Sequence, residues 1–212
     1  MKKKIKIINL KVGNINSVEN IFKFLDCDTS IQHNFEGLDN ADGIVIPGNG
    51  NFQYVSEQLE KKGINKFLNI INKKKIPILG ICIGFQILFE KGFENDVVSN
   101  GLGVFKGEIK LIKNISKELN FTLPHIGWND IIFQKKIPLL DNLKNKSCFY
   151  FLHSYICRNK DLDETIATTE YGETFPSIVK NDNIIGVLFH PDKSHENGIK
   201  LLSNWVNFYV KN

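Results

Sequence analysis

Cys82 is the residue whose surroundings best suit chemistry, because it stands between Gly80 and Gly84. An apolar predicted strand precedes it, and residues 84–90 predict a helix after it. Glycines two positions away on each side are typical of a strand–turn–helix elbow that carries a nucleophile. N–H groups at a helix start favour a thiolate, and the N–H of Ile83 is available to a developing oxyanion. The spacing predicts a cysteine nucleophile; the alternative is a small buried cysteine in a turn.

A thiol nucleophile needs a base, and His190 is the histidine best placed to act as one. It ends an apolar predicted strand, at the sheet edge where α/β active sites form. Pro191 disfavours a helix at His190, and in an extended chain residues two apart point the same way. Asp192 is therefore expected to orient the imidazole while its other nitrogen faces Cys82. The remaining histidines have weaker contexts: His33 in a polar loop, His195 at an exposed helix start, and His125 and His153 in packing or an interface.

Residues 47–50 read Pro-Gly-Asn-Gly and follow a buried predicted strand at residues 43–46. Gly48 and Gly50, on either side of Asn49, allow backbone N–H groups to approach a ligand closely. They predict a second source of oxyanion donors. The alternative is an ordinary turn.

Strand and helix patterns alternate through the first half of the chain. Strands are predicted at residues 5–10, 28–32, 43–46 and 76–81, and helices at 17–25, 55–71 and 84–90. Ser17 is the expected N-cap of the first helix. This alternation predicts a flavodoxin-like, doubly wound α/β fold, with a mostly parallel sheet and helices on both faces.

The second half predicts extra antiparallel strands. They fall at residues 104–111, 131–133, 147–153, 165–169, 177–180 and 184–189. A last helix is expected at residues 198–208, with Ile199, Leu202, Trp205, Val206 and Tyr209 at core spacing. No repeat or linker interrupts the sequence, so residues 1–212 are expected to form a single domain.

The composition limits the classes of function. The 27 basic and 23 acidic residues give a net charge of +4, which is too weak to indicate nucleic acid as the main partner. No run of 18 apolar residues predicts a membrane span, and the basic start lacks a signal-peptide cleavage site. The four cysteines have no metal-ligand spacing. We therefore expect reduced thiols, no metal or other cofactor, and a cytoplasmic protein.

Together these motifs resemble the class I, triad-type glutamine amidotransferases over nearly the whole chain. The resemblance rests on Pro-Gly-x-Gly at 47–50, Gly-x-Cys-x-Gly-x-Gln at 80–86, and Phe-His-Pro at 189–191 followed by an acid. Within the family, the chain is most similar to the glutaminase subunits of imidazole glycerol phosphate synthases. That similarity uses Gly-Asn-x-x-Ser-Val at 13–18, Pro-His-x-Gly-Trp-Asn at 124–129, Phe-Tyr-Phe-x-His-Ser-Tyr at 149–155 and Tyr-Gly at 171–172.

The resemblance implies a glutaminase that takes ammonia from glutamine and channels it to a (β/α)8-barrel synthase (cyclase) subunit, its partner in a heterodimer. Cys82 would be the nucleophile, His190 the base and Asp192 the orienter. The other implied positions are Gly48, Asn49 and Gly50 with Ile83 for the oxyanion, Gln86, Glu94, Ser154 and Tyr155 for glutamine, and Asn14, Trp128, Tyr150 and Lys193 near the partner or ammonia exit.

The chain departs from the family pattern in three places. Asp192 stands where a glutamate is usual, Asn49 where the oxyanion strand usually has valine, and the segment before Gly13 lacks the common Asp-Tyr-Gly. These departures leave an alternative open. The chain could be a paralogous glutaminase that supplies ammonia for amidation or amidino-group formation on a bacterial surface sugar.

Two other classes of protein compete with these interpretations. A cysteine hydrolase or peptidase of similar fold would keep the elbow but would not need Gln86 or residues 47–50. A non-enzymatic flavodoxin-like binding module would need a phosphate-cradling glycine-rich loop, and none is evident in the sequence.

Overall fold

The computed structural model of the chain describes residues 1–113, 122–159 and 162–210. The strands are β1 (Lys4–Ile8), β2 (Asp28–Gln32), β3 (Gly43–Ile46), β4 (Ile78–Ile81), β5 (Phe89–Glu94), β6 (Val97–Asn100), β7 (Phe105–Leu111), β8 (His125–Phe133), β9 (Ser147–His153), β10 (Tyr155–Cys157), β11 (Thr165–Tyr171), β12 (Glu173–Asn181) and β13 (Ile184–Val187). The helices are α1 (Ile15–Phe24), α2 (Phe52–Lys61), α3 (Ile64–Lys74), α4 (Ile83–Ile87) and α5 (His195–Phe208).

The main sheet has nine strands in the order β2-β1-β3-β4-β13-β12-β11-β8-β9. The first five of these strands pair in parallel, and the remaining four pair antiparallel. Helix α1 connects β1 to β2, and α2 and α3 connect β3 to β4, in agreement with the β-α alternation of the first half. The predicted α/β class, with a mostly parallel sheet and antiparallel strands from the second half, is confirmed.

The centre of this sheet is covered on both faces. Every residue of β3, β4 and β13 is buried, which is typical of parallel strands between two layers. These three strands end at the same edge, because they pair in parallel and in register. That edge carries residues 47–50, Cys82 and His190.

A second sheet was not predicted. It has the order β10-β7-β5-β6, and its strands β5, β6 and β10 are absent from the sequence-based prediction. Residues 84–90 were expected to be helical, but α4 ends at Ile87 and β5 begins at Phe89. The residues from Ile83 to Phe89 are all buried, so no polar face marks where the helical period ends.

Three other expectations about helices need correction. Residues 55–71 form two helices, α2 and α3, because Gly63 adopts a positive φ of 86° between them. Ser17 is not the N-cap of α1: Asn14 is, and its side chain accepts a hydrogen bond from the N–H of Ser17. The third concerns α5, which begins at His195 rather than at residue 198; Leu202, Trp205 and Val206 are buried as expected, whereas Ile199 and Tyr209 are only partly buried.

Among the helices that the structure describes, none is both long and apolar enough to span a bilayer.

Candidate active site

Cys82 lies in the turn between β4 and α4 and has a positive φ of 54° with ψ −104°. A non-glycine residue adopts such a conformation only where its surroundings enforce it. Its neighbours leave no room for side chains: a Cβ on Gly84 would lie 1.7 Å from the carbonyl oxygen of Ile46, and one on Gly80 would lie 2.5 Å from that of Gly84. The close approach of backbone explains why glycines flank the cysteine.

The Cys82 side chain is nearly enclosed. The residue is 3% exposed, and its thiol donates a hydrogen bond to the carbonyl oxygen of Leu152 at 3.6 Å. Its backbone N–H donates to the carbonyl of Val187 at 2.9 Å, which joins the turn to β13. The strand that precedes His190 therefore also holds the cysteine in place.

His190 and Asp192 are close together, although not in the way the sequence suggested. His190 is extended (φ −103°, ψ 95°), but Pro191–Lys193 forms a 3-10 turn, so Asp192 does not continue an extended segment. The turn forms because the N–H of Lys193 bonds back to the carbonyl of His190. It brings Oδ1 of Asp192 to 3.7 Å from Nδ1 of His190, with both side chains buried.

The pKa values of His190 and Asp192 are both shifted in the direction that favours the charged form of each side chain. Burial lowers the pKa of His190, but its interactions with Cys82 and with the Asp192 carboxylate outweigh the burial and raise the pKa to about 10. Burial raises the pKa of Asp192, while the nearby His190 imidazole and the hydrogen bond from Ser17 outweigh the burial and lower the pKa below its usual range. Nε2 of His190 is buried and has no hydrogen-bond partner among the described residues. It is the nitrogen available for proton exchange.

Ser17 is a residue of this network that was not predicted. Its Oγ donates to Oδ2 of Asp192 at 2.8 Å, so the carboxylate is held by α1 as well as by the histidine. Ser17 belongs to the Gly-Asn-x-x-Ser pattern, but the sequence analysis assigned it only a helix-capping role. Its contact with Asp192, 175 residues away in the sequence, was therefore not predicted. The cap belongs to Asn14, which leaves the Ser17 hydroxyl free to bind Asp192.

A pocket of about 210 Å³ opens beside the thiol. It is lined by Asn49, Gly50, Cys82, Gln86, Glu94, Pro124, Leu152, His153, Ser154 and Tyr155, which include all four residues predicted to hold glutamine. Nε2 of Gln86 donates to the Tyr155 carbonyl at 3.0 Å. Oε2 of Glu94 accepts from the backbone N–H of Phe52 at 2.7 Å.

Residues 48–50 separate this pocket from a recess of about 30 Å³. The recess is lined by Asn14, Val18, Gly48, Asn49, Ile81, His190, Asp192 and Lys193. Asn49 lines both cavities. Gly48 has a φ of 153°, and a Cβ there would lie 2.7 Å from Cγ2 of Ile83, so the oxyanion residues predicted on two different loops are in contact.

Trp128 and Tyr150 lie on neighbouring strands and their rings meet edge to face at 6.0 Å. Nζ of Lys193 lies 5.7 Å from the centroid of the Tyr150 ring, and the Trp128 ring stacks on His195 at 5.0 Å. Trp128 is 48% exposed. We call these four residues the aromatic face; Lys193 connects it to the recess.

His125 and His153 form a buried pair with 3.0 Å between ring nitrogens, and His153 lines the pocket. The expectation of packing or an interface did not anticipate this contact, for which the sequence gives no local signal.

All four cysteines are free thiols. Within the described part of the chain, no group of three or more His, Cys, Asp or Glu residues is arranged to hold a metal ion.

Comparisons with known proteins place the chain in a family. The sequence model of the family "Glutamine amidotransferase class-I" matches residues 11–207. The chain is 40% identical over 202 residues to "Imidazole glycerol phosphate synthase subunit HisH" of Methanocaldococcus jannaschii, covering 94% of this chain and 97% of that one. It is 41% identical over 205 residues to the protein of the same name from Lactococcus lactis, covering 96% and 98%.

Solved structures share the fold at low identity. "Structure of PurLQS from Thermotoga maritima" superposes with a TM-score of 0.75 at 18% identity, covering 98% of this chain and 99% of that one. A glutamine amidotransferase from the same organism gives a TM-score of 0.61 at 16% identity, covering 99% and 83%. Sequence and fold agree, and the chain belongs to the class I glutamine amidotransferases, enzymes that hydrolyse glutamine.

Proposed function

We propose that this chain is the glutaminase subunit of an imidazole glycerol phosphate synthase, with residues 1–212 as one amidotransferase domain. It hydrolyses glutamine through a Cys82–His190–Asp192 triad and passes ammonia to a (β/α)8-barrel synthase (cyclase) subunit. The observation that carries the proposal is a cysteine on a strained elbow, at the same sheet edge as a buried His190–Asp192 pair and beside a pocket lined by the residues expected to bind glutamine. The names of the relatives that match most of the chain support the choice of pathway.

The first half of the reaction begins when Cys82 gives its thiol proton to Nε2 of His190, which leaves a thiolate and an imidazolium. The Cys82 thiolate attacks the side-chain amide carbon of glutamine, and the carbonyl electron pair moves onto oxygen. His190, as imidazolium, donates its Nε2 proton to the amide nitrogen. The tetrahedral intermediate collapses, the C–N bond breaks, and ammonia leaves behind a glutamyl thioester.

The second half regenerates the enzyme. Neutral His190 takes a proton from water, which attacks the thioester, and the sulfur leaves as thiolate with glutamate as the product. Asp192 keeps Nδ1 of the ring facing inward and stabilises the imidazolium at each stage, as the orienting acid does in other triads.

Two backbone segments are suited to the developing oxyanion. The N–H of Ile83 belongs to the first turn of α4, where N–H groups have no intrahelical acceptor. Residues 48–50 lie against the same residue. Fixed donors of this kind stabilise the intermediate without reorganising during the reaction.

Glutamine fits the pocket through its charged end. Gln86 uses Nε2 on the Tyr155 carbonyl, so its Oε1 remains to accept a hydrogen bond. Glu94 has one oxygen engaged by Phe52 and one left over. These acceptors suit the substrate α-ammonium, while the backbone of Ser154 and Tyr155 lines the same pocket.

Ammonia leaves through the other side of the oxyanion strand. The recess beyond Asn49 is lined by Asn14 and Lys193, and Lys193 borders the aromatic face. A docked partner over this face would receive ammonia before bulk water protonates it. Binding of the partner would also activate the glutaminase, because it would change the position of the oxyanion residues 48–50.

Two assays test the proposal. Purified protein, alone and mixed with the barrel subunit of its own source, should release glutamate from glutamine, more rapidly in the mixture. Cys82→Ala should lose this release, with Cys148→Ala as the matched cysteine control. Undiminished release by Cys82→Ala would exclude the assigned nucleophile.

Complementation distinguishes the pathway. The gene, expressed with its barrel partner, should restore growth without histidine to a strain that lacks its own glutaminase subunit. Failure of soluble, glutaminase-active protein to restore growth would favour the surface-sugar role, which the relatives described above do not favour.

A further inference from the structure

His125 and His153 are buried histidines that the proposed catalytic steps do not use. They are direct cross-strand neighbours on β8 and β9 and are 3% and 6% exposed. Nδ1 of His125 lies 3.0 Å from Nε2 of His153. Two ring nitrogens at this distance form a hydrogen bond only if one carries a proton and the other does not.

The neighbours of the pair decide which nitrogen carries the proton. A carbonyl oxygen can only accept, and that of Tyr155 lies 3.2 Å from Nδ1 of His153, so this nitrogen is the donor. In the neutral ring Nε2 of His153 is then an acceptor, which makes Nδ1 of His125 the donor between the rings. Nε2 of His125 is left to accept, and the amide Nδ2 of Asn129 lies 3.3 Å from it.

Every link therefore runs in one direction, from Asn129 through His125 and His153 to Tyr155. The Asn129 amide has a second hydrogen, which it donates to the carbonyl of Glu170 at 3.0 Å. Packing also fixes the His125 ring, which stacks on Tyr171 at 3.9 Å and on Phe151 at 4.9 Å. A proton added to either ring would point two N–H groups at each other.

The chain ends at the pocket. The Tyr155 carbonyl accepts from His153 and also from Nε2 of Gln86 at 3.0 Å, so both of its lone pairs are used. This arrangement sets the orientation of the Gln86 amide: Nε2 faces Tyr155, and Oε1 remains an acceptor. His153, Tyr155 and Gln86 all line the cavity beside Cys82.

We infer that the chain Asn129–His125–His153–Tyr155 positions Gln86 to bind the substrate, with both histidines neutral and protonated on Nδ1. His125 and His153 are thus positioning residues that act through Tyr155 and Gln86. This role deepens the proposed glutaminase function and rests on it for the kinetic part of the test. The tautomers of the two histidines can be determined without an activity assay.

The tautomers are measured by long-range nitrogen–proton NMR of the imidazoles in the full chain. We expect His125 and His153 to be protonated on Nδ1, the minor form in water, and to stay neutral through pH 6. The ring of His33, which is exposed, provides an internal chemical-shift reference in the same spectra. Protonation of either buried ring on Nε2, or the appearance of its imidazolium form at or above pH 6, would overturn the inference.

The kinetic test compares two substitutions at one position. His125→Phe keeps an aromatic ring between Tyr171 and Phe151 but has no donor, whereas His125→Asn retains an N–H near the place of Nδ1. We expect His125→Phe to raise KM for glutamine about tenfold while kcat stays within about twofold, and His125→Asn to restore most of the affinity.

A folded His125→Phe protein with unchanged KM would contradict the role, as would equal KM increases in the two variants. If His125→Phe does not fold, the tautomers of the unaltered protein still decide the geometry. A wild-type chain without glutaminase activity would overturn the proposed function instead, and the tautomers would decide the inference independently.

Discussion

Asp192 uses its two oxygens for different tasks. Oδ1 faces Nδ1 of His190 at 3.7 Å, longer than a hydrogen bond, and Oδ2 accepts from Ser17 at 2.8 Å. The side chain is one methylene shorter than the glutamate usual in the family, and it is held by the Ser17 hydroxyl and by the 3-10 turn. The carboxylate acts here mainly as a held charge beside the imidazolium.

Asp192→Asn removes that charge and keeps the shape. We expect glutamate release to slow by about 10²-fold or more, since an amide facing Nδ1 also favours the wrong tautomer. The fold, followed by circular dichroism, should be unchanged. Asp192→Glu is the matched control and should retain most of the turnover. Wild-type kinetics in Asp192→Asn would remove the residue from the triad.

Ser17→Ala removes a hydrogen bond to a buried carboxylate, a contact worth about 1.5–3 kcal/mol. If half of this free energy is lost from stabilisation of the transition state, kcat falls about fourfold to twelvefold. The pKa of Asp192 also rises, so the acidic limb of the kcat–pH profile moves to higher pH. Ser17→Thr should restore both values, and the exposed Ser30→Ala should change neither. An unshifted profile in Ser17→Ala would contradict the contact.

At the scale of elements, the elbow depends on how closely β4, α4 and the end of β3 approach. A methyl group on Gly84 would meet the Ile46 carbonyl at 1.7 Å, and backbone on both sides cannot yield cheaply. We expect Gly84→Ala to lower the free energy of unfolding by about 3 kcal/mol and to abolish turnover.

Gly103→Ala is the control for this substitution. Gly103 also has a positive φ (63°), but nothing lies within 4 Å of an added Cβ, so only the backbone strain of about 1–2 kcal/mol applies. Urea unfolding measures both variants. Equal losses would show that the close approach to Ile46 is not what requires a glycine at position 84.

Elements with a clear period or clear boundaries could be predicted from the sequence. The bounds of β3 and β9 match the predicted ranges, because a bounding Pro-Gly marks the end of β3 and apolar alternation runs through β9. The bounds of β2 also match, although its sequence Asp-Thr-Ser-Ile-Gln has neither signal. β5 was missed because it follows α4 without a polar residue between them. β6 is largely exposed (Val97 and Val98 are 40% and 54% exposed), so no buried face gives it a pattern.

The site was predictable where neighbours in sequence act together. The elbow and the His190–Asp192 pair are local motifs, so their spacing indicated them. Ser17 and the His125–His153 pair are brought into place by contacts across 175 and 28 residues. The first contact depends on how α1 packs beside the turn after β13, and the second on the register of β8 and β9, and no short segment of the sequence encodes either.

At the scale of the molecule, the buried histidines link stability to pH. Burial lowers the pKa of His125 to about 4; burial, then the charge of His125, lowers that of His153 to about 3. In the unfolded chain both rings titrate near pH 6.5. Below that pH the unfolded state therefore binds more protons than the folded state, in which both rings stay neutral. The stability that His125 and His153 contribute is therefore complete above about pH 6.5 and falls as the pH drops toward 4.

In that window each ring should lower the free energy of unfolding by up to about 1.4 kcal/mol per pH unit. Between pH 7 and pH 5 the two rings together should lower it by an amount on the order of 3 kcal/mol. Urea unfolding at the two pH values measures the loss. His125→Asn should roughly halve its histidine-dependent part, while His33→Asn, at an exposed position, should leave it intact. The same loss in His125→Asn as in the wild type would mean that the ring is not held neutral.

The aromatic face gives the last prediction, because it is exposed beside the recess through which ammonia is proposed to leave. Large aromatic side chains at the centre of an interface often contribute about 2 kcal/mol or more to binding. We expect Trp128→Ala to weaken binding of the barrel subunit, measured by calorimetry, about thirtyfold, and to reduce its stimulation of glutaminase equally. Activity without the partner should change little, since Trp128 does not line the pocket. The control is Phe208→Ala, 50% exposed at the far end of α5, about 20 Å along the helix from His195. If both variants bind the partner as the wild type does, docking takes place elsewhere, and the ammonia route must be sought away from Lys193.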